Sequence, residues 1–142
     1  MDTGLIKYYG DFIQSFYPDL SQDTIGHQVV RGLNFATADT QTLWSYTMAD
    51  EETIVVRAYV NGTQLGTTVF GFYGKTAMAN RNGGGAATIL VAEQALFPEQ
   101  ETDAGLNAVI DVSGNDIRVR VTNANATNTR WVGRIEYEII TN

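Results

Sequence analysis

The chain has 142 residues, no cysteine, a single histidine and a formal net charge of −7. That length supports one domain with one core, and the absence of cysteine excludes a disulfide framework, a thiolate metal site and a cysteine nucleophile. The acidic balance argues against a general binder of nucleic acid and disfavours an anionic membrane surface as partner, since both need an excess of Lys and Arg.

Residues 1–26 form an N-terminal arm with a texture of its own. They carry five of the fifteen aromatic residues: Tyr8, Tyr9, Phe12, Phe16 and Tyr17. Leu5, Tyr9, Phe12 or Ile13, and Phe16 recur at helical spacing until Pro18 stops the pattern, while Gly10 weakens it. The reading is a short helix or irregular arm with one apolar face. The opening "MDTGLIKYYGDFIQSFYPDL" lacks a basic stretch followed by a continuous apolar run, so it is not a signal peptide. No apolar stretch is long enough to span a bilayer. Synthesis and folding in the cytoplasm, or export by cell lysis or a non-standard route, is expected.

From residue 27 to 142 the texture is β. Short runs rich in Val, Ile, Thr and aromatics alternate with Gly, Asn and Asp. Eight strands are predicted, at 27–35, 41–48, 52–60, 66–77, 86–93, 106–112, 116–122 and 130–140. Asn61-Gly62 predicts a hairpin turn, because both residues tolerate positive φ. "VSGND" (112–116) predicts another, and "NRNGGGA" (80–86) a longer loop. Pro98 keeps the acidic connection 96–105 out of any central strand. The expected fold is an all-β, antiparallel eight-stranded β-sandwich, jelly-roll-like, preceded by the short arm or helix.

Four of the seven arginines lie in the last stretch: Arg118, Arg120, Arg130 and Arg134. Alternation places Arg118 and Arg120 opposite Ile117, Val119 and Val121, and it places Arg134, Glu136 and Glu138 together. If the two strands pair around the 123–128 loop, the acids balance the arginines, and the stretch is the wet face of a terminal hairpin.

Catalytic patterns are missing. One histidine, His27, cannot supply a cupin-type ligand set, and as the first residue of a strand it reads as a hydrogen-bonded strand end, not as the base of a triad. Two carboxylate groups, Asp50-Glu51-Glu52 and Glu99-Glu101-Asp103, fall in turns and read as solvated. "DVSGND" lacks the length and terminal Glu of a calcium loop, and "NRNGGG" lacks the Lys-Ser/Thr of a phosphate loop. No catalytic residue, metal site or cofactor is expected. Trp44 and Trp131 lie within strands and read as core. Arg81, in a Gly-rich setting, is a candidate to reach a partner.

Three segments carry a resemblance. "ADEETIVVRAYVNG" (49–62), "NRNGGGAATILV" (80–91) and "GNDIRVRVTN…WVGRIEYEII" (114–140) together resemble a β-domain of tailed-bacteriophage virion proteins, as in capsid cement (decoration) proteins and tail-fibre segments. The resemblance covers about 49–140. It implies a structural protein on the outer surface of the virion. The short chain favours a capsid cement protein, a homotrimer that clamps neighbouring copies of the major capsid protein. On that reading Tyr8, Tyr9, Phe12, Phe16 and Tyr17 are the anchors, with Arg81 as a further contact, and no nucleic acid or membrane is a partner. The alternative is a tail-fibre or tail-accessory module that recognises a host surface glycan.

Overall fold

The structure, a computed structural model, describes residues 26–141. Its nine strands are β1 (Gly26–Phe35), β2 (Thr40–Thr47), β3 (Glu52–Gln64), β4 (Phe70–Arg81), β5 (Thr88–Ala95), β6 (Gln100–Glu101), β7 (Asn107–Ser113), β8 (Asp116–Thr122) and β9 (Thr129–Thr141). The described residues contain no helix. All pairings are antiparallel.

The alternation in β3 sets the architecture. Ile54, Val56, Ala58 and Val60 are fully buried, while Thr53, Val55, Arg57 and Tyr59 between them are only partly covered. Successive strand side chains point to opposite faces, so this pattern requires a sheet with one dry and one wet side. The dry side belongs to a six-stranded sheet ordered β1-β9-β3-β4-β5, with β6 also on β4. Against it packs a three-stranded sheet, β2-β8-β7, which contributes Ile117, Val119, Val121 and Ala108 to the same core. The two longest strands, β3 and β9, lie side by side at the centre of the larger sheet. Each large aliphatic residue fully buried there contributes about 1.5–3 kcal/mol from its removal from water. The fold is thus the expected antiparallel β-sandwich, divided six and three, with one strand more than expected: the two-residue β6.

Two sequence-based expectations are corrected. Asn61-Gly62 is not a turn. β3 runs through it to Gln64, and the chain turns over 65–69, where Gly66 has φ 75°. Gly62 serves a different need: a Cβ there would lie 2.6 Å from the indole ring of Trp131 on the neighbouring strand. The second correction concerns the terminal arginines. β8 and β9 do not form a hairpin, because both edges of β8 are taken, by β2 and β7, and β9 sits in the other sheet between β1 and β3. Asn123, 3% exposed, marks the crossing. Its side-chain amide donates to the Phe35 carbonyl (2.9 Å), its side-chain oxygen accepts from the Trp131 indole N–H (2.8 Å), and its backbone N–H donates to Asp39 (3.1 Å). A buried amide satisfied on all sides fixes one path for the chain.

Other expectations hold. The turn at Ser113-Gly114-Asn115 joins β7 to β8, with Gly114 at φ 57°. Trp131 is fully buried and Trp44 is 7% exposed, so both tryptophans are core. The N-terminal residues 1–25, and with them the arm aromatics, lie outside the described residues.

Candidate functional site

The wet face of the six-stranded sheet carries side chains in registered rows. Reading from β1 through β9 and β3 to β4, the first row is Asn34, Arg130, Thr63 and Phe70. The second is Gly32, Val132, Asn61 and Phe72. The third is Val30, Arg134, Tyr59 and Gly74. Below these come Gln28, Glu136, Arg57 and Thr76, then Gly26, Glu138, Val55 and Met78.

Gly74 has no side chain of its own in the third row, and its place is taken by Phe97. A Cβ on Gly74 would lie 2.2 Å from the Phe97 ring, so only glycine admits that ring over the backbone. Phe97 in turn stacks on Phe72, with centroids 4.9 Å apart and planes 27° apart. Next to them the guanidinium of Arg134 lies 4.6 Å above the ring of Tyr59, within the range of a cation–π contact. The result is an aromatic platform of Tyr59, Phe72 and Phe97, extended by Phe70. Phe70 and Phe72 are 44% and 40% exposed, and Val30 at the far side of the face is 60% exposed. Phe70 and Phe72 stand together on this face, and clustered exposed apolar side chains are candidates for contact where scattered ones are not.

The lower rows are polar. Arg57 pairs with Glu138 (3.4 Å) and Arg134 with Glu136 (3.5 Å), both exposed and so weak. Gly26, His27, Gln28, Arg57, Glu136, Tyr137 and Glu138 line an open cleft of about 480 Å³ over β1, β9 and β3.

The loop that carries Phe97 is fastened to the sandwich by its acids. Glu99 and Glu93 both pair with Lys75, whose side chain is 8% exposed. Glu101 accepts from the buried Tyr73 hydroxyl (2.6 Å), and the Thr102 N–H donates to the Phe70 carbonyl (3.0 Å). The reading of Glu99 and Glu101 as merely solvated is therefore corrected: the first holds a buried ammonium, the second a buried phenol. Burial, then the hydrogen bond to Glu101, raises the Tyr73 hydroxyl far above the ordinary phenol range. Burial alone would lower the Lys75 ammonium, but Glu99 and Glu93 outweigh it and hold it above the usual lysine value. In the other acidic group, Asp50 accepts from the Gly84 N–H (2.9 Å) and Glu52 accepts from the Tyr46 hydroxyl (3.1 Å).

The remaining candidates from the sequence are placed as follows. The Arg81 guanidinium donates to the carbonyls of Gly85 (2.8 Å) and Met48 (2.9 Å), which ties the Gly-rich loop to the end of β2. Tyr8, Tyr9, Phe12, Phe16 and Tyr17 lie outside the described residues. His27 is exposed and stacks on Tyr137, with centroids 4.9 Å apart. Arg118 and Arg120 are balanced by Asp111 on β7 and not by Glu136 and Glu138: Arg118 bidentately at 2.8 and 2.9 Å, Arg120 at 3.3 Å. Among the described residues no group of three or more His, Asp or Glu could hold a metal ion. The platform itself escaped the sequence reading. "VFGFYG" (69–74) holds its signal, two Phe at strand spacing separated by a small residue, but Phe97 enters from a loop that only the folded chain brings near.

No family model and no curated protein matches the chain. Among solved structures it is similar to part of the tailspike protein of Acinetobacter baumannii phage AM24, at 9% identity and a TM-score of 0.43, over 82% of this chain and 26% of that one. It is similar to part of tailspike protein gp49 of A. baumannii bacteriophage Fri1, a capsular polysaccharide depolymerase, at 10% identity and a TM-score of 0.38, over 90% and 23%. A third likeness is to the tailspike of Acinetobacter phage vB_ApiP_P1, at 14% identity and a TM-score of 0.31, over 87% and 23%. The chain spans about a quarter of the length of each tailspike it resembles.

Proposed function

We propose that the chain is a non-enzymatic binding module of a tailed-phage virion, carried on the tail, which recognises a glycan of the host surface with the wet face of its six-stranded sheet. The observation that carries this reading is the aromatic cluster of Tyr59, Phe72 and Phe97, with Phe72 exposed and the other two partly buried, beside Asn61, Thr63 and Arg130. A pyranose ring offers a face of C–H groups that packs on aromatic carbon and a rim of hydroxyls that bonds to amide, hydroxyl and guanidinium groups. Binding sites in general combine an apolar lining with a few placed polar groups. The virion assignment is supported by the resemblance of segments 49–62, 80–91 and 114–140. The non-enzymatic part is supported by the engagement of Glu52, Glu99, Glu101 and Asp111 in bonds within the chain. The capsid-cement reading, with the major capsid protein as partner and a homotrimer as the working form, places its anchors on the arm and leaves this face without a task.

The test is binding of the purified protein to intact host cells, to the same cells after periodate oxidation of their glycans, and to phage heads that lack the protein. Saturable binding to intact cells, lost on oxidation and weakened at least tenfold by Phe72→Ser, is expected. Saturable decoration of heads without binding to cells would restore the cement reading.

A further inference from the structure

We propose that the glycan is anionic, and that Arg130 and Arg134 hold its acid groups while Phe72 and Phe97 carry its ring faces and Tyr59 orients Arg134. The proposal rests on the glycan reading above and adds the chemistry of the ligand.

Its basis is where charge lies on the face. The chain as a whole has 16 acidic and 9 basic residues. Against that excess, the three rows that hold the platform contain Arg130 and Arg134 and no carboxylate. Acids on this face begin only in the fourth row, at Glu136. The nearest acid on the adjoining β6, Glu101, is turned to the opposite face by its bond to Tyr73. Screening makes this local pattern decisive. At physiological salt, charges beyond about 8 Å contribute little, so an approaching ligand meets Arg130 unpaired and Arg134 with Glu136 at its Nε, and not the net −7.

The two guanidinium groups are available. Arg130 is exposed, and no carboxylate lies within 4 Å of it among the described residues. Arg134 is held over Tyr59 with its side chain 49% exposed, and its contact with Glu136 at 3.5 Å uses a single N–H. An arginine so placed is pre-oriented, and it keeps enough donors for a bidentate bond to a carboxylate or sulfate. The two residues are four apart on one strand, about 13 Å along it. That is wider than one sugar ring, so an oligosaccharide with spaced acid groups fits, and an acidic monosaccharide engages one arginine only. Single-stranded nucleic acid also combines stacking with anionic charge. Its phosphate at every residue would continue past these rows onto Glu136 and Glu138, which the spaced acids of a polysaccharide avoid.

The experiment uses the surface polysaccharide released from the cells that the full chain binds, before and after reduction of its carboxyl groups to alcohols, with a dT oligonucleotide alongside. Calorimetry is expected to show binding to the acidic polymer, at least tenfold weaker binding after reduction, and no binding to the oligonucleotide. Arg130→Gln, and the double variant with Arg134→Gln, should weaken binding to the acidic polymer and flatten its salt dependence. Arg130 is exposed, so its single variant keeps the melting temperature and the result stays interpretable. Equal binding before and after reduction would overturn the anionic assignment and leave the glycan reading standing. Binding to neither form, with no binding to cells, would overturn both. Oligonucleotide binding as tight as that of the polymer would overturn it in favour of nucleic acid.

Discussion

Gly62 and Trp131 show how a single missing side chain shapes this protein. The indole fills the space that a Cβ at Gly62 would need, with three ring carbons within 2.8 Å of the built position. Both residues belong to rigid central strands, so neither backbone can retreat. Gly62→Ala is therefore expected to destabilise the domain by about 1–3 kcal/mol, the usual cost of overpacking a filled core. Urea denaturation measures this directly, and Gly66→Ala serves as a contrast. There the substitution meets no atom within 4 Å and suffers only from the φ of 75°. From sequence, Asn61-Gly62 and a turn are almost synonymous, because the dipeptide meets every local requirement of one. What overrides it is a contact between residues 69 positions apart, which no local pattern records.

At the scale of the element, the loop 96–106 depends on a charge that it does not contain. Lys75 points from β4 into the gap between Glu93 and Glu99. Lys75→Met keeps the alkyl stem and removes the ammonium, which leaves both carboxylates without their cation. Because Glu93 and Glu99 keep contact with water, at 23% and 38% side-chain exposure, the cost falls below the ~3–5 kcal/mol of breaking a fully buried pair. The loop should open locally before the domain unfolds. Faster amide exchange confined to residues 96–106, with β3 and β9 still protected, is the expected outcome, and it should weaken the Phe97 stack at the same time. The strands themselves were largely readable, because alternation and turn residues act over a few positions: all eight expected strands exist, and the turn at Gly114 is where it was expected. The two-residue β6 has no periodicity to read. The partnering of strands was not readable either, since β8 carries the same alternation whether its neighbour is β9 or β2. Of the candidate site, the strand residues Tyr59, Phe70 and Phe72 lay in predicted strands but became a platform only when register and Phe97 were known.

For the whole molecule, three buried or half-buried groups make stability depend on pH in one direction. The Tyr46 hydroxyl is pushed up to about 12, first by burial and then by its hydrogen bond to Glu52. Tyr73 and Lys75 are raised as well, by the causes given above. Each group holds its proton in the native state beyond the point where the unfolded chain, with ordinary values of 10.0 for tyrosine and 10.5 for lysine, releases it. The native state then binds more protons than the unfolded state, so stability is fully present below the unfolded values and falls as pH rises through the folded ones. Denaturant midpoints should stay level up to about pH 9 and decline steeply between about pH 10 and 12. Tyr46→Phe removes one of the linked protons, and the decline should become shallower. An equally steep loss in that variant would show that Tyr46 is not among the groups responsible.

The place of β9 has a consequence for synthesis. The strand made last among the described residues lies between β1, made first, and β3, and it is paired along its whole length with β3 and from Thr129 to Glu138 with β1. While residues 129–141 are still inside the ribosome, β1 has no partner in its sheet and β3 has lost one of its two. The larger half of the sandwich cannot close one strand at a time as it emerges. Folding therefore waits on the end of this segment and then proceeds through contacts of long sequence separation, the kind that place all-β domains in the millisecond-to-second range. Until that moment the apolar faces of β3 and β4 stand open, and the net charge of −7 opposes their association with neighbouring copies.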